Sequence, residues 1–146
     1  MTHHSIERMT MLVDLAGQTL EKAQRQLARE QQAYEQAQSQ LQDLTDYQKG
    51  YIEHLKSPSQ ITPSQIHTFY AFLNKVNQAI LAQESQLETA ERNLNQARAH
   101  WREKKAYHQA LEKLLQKRQK QAQQQLDKQE QKMLDELASQ AGSRQY

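Results

Sequence analysis

Residues 6–55 read IERMTMLVDLAGQTLEKAQRQLAREQQAYEQAQSQLQDLTDYQKGYIEHL, and one ladder of positions runs through them in steps of three and four. The ladder is Ile6, Met9, Val13, Ala16, Leu20, Ala23, Leu27, Glu30, Tyr34, Ala37, Leu41, Leu44, Gln48, Tyr51 and Leu55. Thirteen of these fifteen are apolar or tyrosine, and only Glu30 and Gln48 interrupt. A repeat averaging 3.5 residues keeps one stripe of a helix facing a partner helix as the two supercoil. A stripe this long cannot be satisfied by its own helix, so another segment must cover it.

Downstream residues supply that segment. The two prolines fall within Ser57-Pro58-Ser59-Gln60-Ile61-Thr62-Pro63. Pro58 drives Ser57 away from helical geometry and stops the first helix. Thr62 is suited to N-cap a second helix, Pro63 to its first position and Gln65 to the capping box, with Ile61 and Ile66 placed as a hydrophobic staple. A second ladder follows: Ile66, Phe69, Leu73, Val76, Ile80, Gln83, Leu87, Ala90, Leu94, Ala97 and Trp101. The next breaker is Gly142, a candidate C-cap. A short linker favours antiparallel neighbours, and closure within the chain costs less entropy than pairing with a second one.

The expected fold is therefore all-α: an antiparallel two-helix coiled-coil hairpin forming a single domain over 1–146. Helix 1 spans about 5–57, the hinge about 58–62, helix 2 about 63–140, and a tail 141–146 closes the chain. With the turn near residue 60, position i should face about 119 − i. Ile6 then falls near residue 113, and Trp101 falls beside Ala16 and Gly17. Everything past 113 is left as an overhang of the longer helix 2 at the terminal end. There the spacing changes: Leu111, Ala122 and Met133 lie eleven apart, as do Leu115, Leu126 and Leu137. An eleven-residue repeat makes a straighter stripe than a heptad seam. The competing reading of this stretch is a frayed polar tail.

Composition agrees with narrow-seam packing. Only 36% of the 146 residues are hydrophobic, glycine and proline together number five, and charged residues make up 25%. A two-helix seam leaves most residues wet, whereas a globular core does not. The absence of cysteine removes disulfide and thiolate chemistry and suits a reducing compartment. No apolar run reaches the roughly 18 residues that span a bilayer. Net charge is +2, but residues 98–146 carry the excess of Lys and Arg, densest from Arg98 to Lys120. That stretch favours an acidic surface.

Catalytic signals are missing. There is no phosphate-cradling glycine loop and no nucleophile elbow, and His100 and His108 lie too far apart for a helical metal pair. A two-helix protein also offers no enclosed pocket in which to desolvate reacting groups. The expectation is a non-enzyme without cofactor or metal. What remains is a surplus of aromatics: the seam accounts for Tyr51 and Phe69, but not for Tyr47, Tyr70 and Phe72. Tyr47 shares a helical face with Gln40, Leu44 and Tyr51, and Phe72 shares one with Val76, Ala79 and Gln83. Aromatics at the rim of a core anchor interfaces; the plainer reading is that they thicken the seam.

Three segments carry a resemblance: Leu41-Gln-Asp-Leu-Thr-Asp-Tyr-Gln-Lys-Gly-Tyr51, Trp101-Arg-Glu-Lys-Lys105 and Gln131-Lys-Met-Leu-Asp-Glu-Leu-Ala138. In this order and at these separations they resemble the flagellar export protein FliJ family. The resemblance implies a stalk-like coiled coil of the flagellar type III export apparatus, cytoplasmic and peripheral to the inner membrane at the flagellar base through its partners. It implies binding to the hexameric export ATPase FliI, with promotion of ring assembly and ATP hydrolysis. It also implies contact with the cytoplasmic domain of the export gate FlhA, and handling of export chaperones. By the same resemblance the gate face maps to Gln40, Leu44, Tyr47, Tyr51, Phe72, Val76, Ala79 and Gln83, with Gln83 standing where related sequences carry histidine. The overhang makes Leu115, Arg118, Leu126, Met133 and Leu137 the candidate ring contacts.

Two other classes fit the pattern less well. A nucleic-acid-binding hairpin would use Arg98–Lys120 on phosphates, but that stretch is glutamine-rich and has few interleaved aromatics, so no nucleic acid is expected. A generic adaptor coiled coil would have no ring partner.

Overall fold

The computed structural model describes residues 2–56 and 62–143, with side chains from His3 onward. Two helices make up nearly all of it: α1, Thr2–Lys56, and α2, Pro63–Ser143. The chain is an all-α helical hairpin of antiparallel helices.

The start of α2 shows why the chain re-enters helix there. The Thr62 amide donates to Gln65 Oε1 at 3.0 Å, and the Gln65 amide lies 3.4 Å from Thr62 Oγ1. The Ile66 amide completes the first turn on the Thr62 carbonyl at 3.0 Å. These bonds satisfy amides that a helix N-terminus otherwise leaves bare. Ser57 to Ile61 lie outside the described residues, and with them Pro58 and one half of the expected staple. At the other end Gly142 does not cap α2: it is helical, without positive φ, and the helix runs to Ser143. The Ser143 hydroxyl donates to the Gln140 carbonyl at 2.9 Å, which satisfies a terminal acceptor without a left-handed turn.

Two compact units can be described separately, residues 23–101 and residues 1–22 with 102–146. In the first, the ladders interlock. Ala23, Ala37, Phe69, Val76, Ile80, Leu94 and Ala97 are buried, and their ladder neighbours are half-buried, Glu30 and Gln48 included. Small alanines on α1 stand beside larger residues on α2, which lets the backbones approach and gives alternating knobs and holes. Two of the three polar interruptions are bonded across the seam, while Glu30 accepts from Gln26 on its own helix. Gln48 Nε2 donates to Asn77 Oδ1 at 2.6 Å, and the buried Gln83 donates to the Ala37 carbonyl at 3.0 Å and to Gln40 Oε1 at 3.2 Å. Ile66 is the ladder residue that the seam leaves exposed.

In the second unit, Met9 and Ala16 are buried, and Ile6, Val13 and Leu20 half-buried, against Lys104, His108, Leu111, Leu115, Arg118 and Ala122. The register here differs from the one counted from the turn. A Cβ added at Gly17 would meet His108 Nε2 at 3.3 Å, so the side chain over this glycine is an imidazole and not the expected indole. Ser5 Oγ accepts from Arg118 Nη1 at 2.9 Å, and Ile6 shares a groove with Ala122. Counting from a turn presumes that every residue pair advances in step. The observed register is set by which side chains fit, here a ring over a glycine and a guanidinium on a serine. The overhang consequently begins near residue 123, not 114: every residue from Gln123 to Ser143 is exposed.

Candidate functional site

The aromatic face in the unit of residues 23–101 is built on two helical turns of α1 and one of α2. Tyr51 stacks on Phe69 with ring centroids 3.9 Å apart and planes 20° from parallel. Phe69 is buried in the seam, so this pair fixes Tyr51. Tyr51 in turn meets Phe72 at 4.9 Å, and Tyr47 stacks on Tyr51 at 6.2 Å while presenting its edge to Phe72 at 6.1 Å. Such offset and edge-on contacts each add about 0.5–1.5 kcal/mol beyond area burial. The outer members are therefore held rigidly although they are open to solvent, Tyr47 by 54% and Phe72 by 38%. A partner binding here would lose little side-chain freedom on contact.

The eight residues mapped to the gate face divide in two. Gln40, Tyr47, Phe72 and Ala79 are exposed, with Leu44 and Tyr51 half-buried beside them, so six reach the surface. Val76 and Gln83 are buried between the helices. Gln83 acts on the surface only through Gln40, whose amide oxygen it holds.

The five mapped ring contacts divide as well. Leu126, Met133 and Leu137 stand on the overhang, each more than half exposed. Leu115 and Arg118 instead belong to the paired part of α2, half-buried against α1. Leu134, adjacent to Met133 and equally exposed, joins the overhang set. Glu130 stands one turn before Leu134 and two before Leu137 on the same stripe, while Lys128 and Lys132 fall on the back.

Other exposed apolar side chains went unread in the sequence: Met11, Leu12, Leu15, Leu81 and Leu114. All lie off the seam positions. A count of apolar residues in excess of the ladder finds them, as it found Tyr47 and Phe72. Among the described residues no group of three or more His, Asp or Glu is arranged to hold a metal, and no helix is long and apolar enough to cross a membrane.

Residues 4–146 match the family model described as flagellar FliJ protein. The flagellar FliJ protein of Escherichia coli (strain K12) is 31% identical over 138 residues, covering 93% of this chain and 94% of that protein. With the hairpin, its uncovered overhang and the rigid aromatic face already in view, these matches along nearly the whole length show that the chain belongs to the flagellar FliJ family, a component of flagellar protein export.

Proposed function

We propose that this protein is a non-enzymatic coupling factor of the flagellar export apparatus, which binds the export ATPase FliI through its overhang and the export gate FlhA through its aromatic face. The observation that carries the reading is the stretch Gln123–Ser143, helical and exposed throughout, which presents Leu126, Met133, Leu134 and Leu137 to solvent. An unpaired helix with a leucine stripe has no structural use within its own hairpin, and it suits insertion between the subunits of a hexameric ring. Binding there promotes ring assembly and ATP hydrolysis by giving the subunits a common contact. The gate surface consists of Gln40, Leu44, Tyr47, Tyr51, Phe72 and Ala79, with Val76 and Gln83 supporting it from the seam. The protein works at the inner-membrane face of the flagellar base, held there by partners, and receives export chaperones as part of the same assembly.

Purified ATPase assayed with and without the protein tests the ring half of the reading. Deletion of residues 123–146 is expected to abolish stimulation while gate binding persists. Full stimulation by the truncated chain would defeat the assignment. For the other half, Tyr47→Ala combined with Phe72→Ala is expected to weaken binding to the gate's cytoplasmic domain by about 2 kcal/mol or more, a loss of at least roughly thirtyfold, with helical content retained. A collapse of helicity would instead identify both residues as structural.

A further inference from the structure

In the unit formed by residues 1–22 and 102–146, one flank of the helix pair is apolar, uncovered and basic. A groove of about 540 Å³ runs along it, lined by His4, Ser5, Arg8, Met9, Leu12 and Arg118. Two contacts fix the local register: Ser5 Oγ accepts from Arg118 Nη1 at 2.9 Å, and Gly17 lies under His108. Leu12 stands between Ser5 and Gly17, so it falls level with residues 111–114 of α2, where Leu114 takes the same flank. Leu15, one turn on from Leu12, and Tyr107, two turns before Leu114, extend the flank along each helix. All four of these large side chains are exposed, although none serves the seam.

The charges on this flank have nearly one sign. Arg8, Lys22 and Lys117 are exposed on it, and Arg118 is half-buried at its edge. None of the four has an acidic partner among the described residues. The acidic residues of this stretch of α1, Glu7, Asp14 and Glu21, recur every seven positions on a different face. On α2, Glu112 is turned away with His108, 3.1 Å from its Nδ1. Glu103 is the one carboxylate on the flank among the described residues, and it lies 3.9 Å from Lys104 Nζ.

We propose that this flank is a docking site for an acidic amphipathic helix of a partner protein, which packs between α1 and α2 as a third helix. A groove with two helical walls accepts a helix, whose apolar residues at i, i+3 or i+4 and i+7 settle against Leu12, Leu114 and Tyr107. Carboxylates beside that apolar strip reach Arg8, Lys117 and Arg118 near one end and Lys22 near the other. A lipid surface fits less well, because it would touch only the outermost side chains and leave the groove floor at the buried Met9 uncovered. A nucleic acid fits less well again, because leucines offer its bases no stacking face. The proposal goes beyond the ring and gate readings and rests on neither, since Arg8, Leu12, Leu15, Tyr107, Leu114 and Lys117 belong to neither surface.

The test uses the full chain and a fluorescein-labelled synthetic helix of three heptads, about 30 Å long, with leucine on one stripe, glutamate beside it and alanine on the back. A twin peptide carries lysine in place of every glutamate. Fluorescence anisotropy at about 150 mM salt reads binding, and circular dichroism checks each variant. The acidic peptide is expected to bind with a dissociation constant below about 100 µM, and the basic twin at least about tenfold more weakly. Leu12→Ala with Leu114→Ala is expected to weaken the acidic peptide at least about tenfold. Arg8→Glu with Lys117→Glu is expected to do so at least about fivefold, because both reversals set like charges together. Leu126→Ala with Met133→Ala, on the overhang, is expected to leave binding unchanged. Absence of binding overturns the proposal, as do equal affinities for the two peptides or a loss that follows the overhang substitutions and not the flank ones. A chain that ignores the acidic peptide but sediments with vesicles of anionic phosphatidylglycerol also overturns it and assigns the flank to a lipid surface.

Discussion

Two glycines within α1 differ in what stands beside them, and the difference is measurable. A Cβ at Gly50 would meet nothing within 4 Å, whereas one at Gly17 would meet His108 Nε2 at 3.3 Å. Replacing a helical glycine by alanine gains about 1 kcal/mol of propensity. Gly50→Ala is therefore expected to stabilise the chain by about 0.5–1 kcal/mol in urea unfolding. Gly17→Ala is expected to gain less than half of that, because His108, anchored at 3.1 Å on Glu112 and mostly buried, must shift to admit the methyl group. Equal gains at the two positions would mean that His108 does not press on Gly17. The imidazole over Gly17 was not legible in the sequence, because which side chain stands over a glycine depends on the register between helices. The aromatic residues were legible: Tyr47 and Phe72 fell off the ladder, and being apolar without a seam position is itself the signal.

At the scale of the element, the beginning of α2 was written out in Thr62-Pro63-Ser64-Gln65, and the hydrogen bonds made there are those of a capping box. Thr62→Ala is expected to cost about 1 kcal/mol, read as a lowered urea midpoint with unchanged slope. No effect would mean that the terminus is held by packing alone. The end of α2 was less legible. A glycine near a terminus suggests a cap, but Gly142 sits where nothing packs against the helix, so no contact forces the chain to turn there. Register was the other miss. Heptad ladders fix which face of each helix is buried, but they repeat every seven residues and leave the slide of one helix along the other nearly free. Gln83 in the seam limits that freedom, because a buried amide has few positions at which it can be satisfied. Gln83→Ala is expected to cost about 1–2 kcal/mol and to release Gln40; a gain in stability would show the amide to be an encumbrance.

For the whole molecule, the all-α hairpin was legible because periodicity, breakers and composition agreed, and the family through the resemblance of three segments in order. The proposed interaction surfaces could be picked out only as leftovers, residues the seam did not need. A chain ending at Ala122 is expected to melt within about 2 °C of the full-length protein, since residues 123–143 are all exposed and only Gln125, Leu126 and Gln129 line a groove with His3 and Ile6. A larger drop would show that the overhang packs against the rest of the chain in solution. The uncovered segment has a kinetic consequence as well. Some twenty residues of lone helix are barely stable in water and persist here because the seam has already nucleated them. Amide protons should therefore exchange along a gradient, slowest beside Ala122 and faster with each turn toward Ser143. A docking partner would flatten that slope, which makes proton exchange a direct reading of occupancy that needs no label and no enzyme.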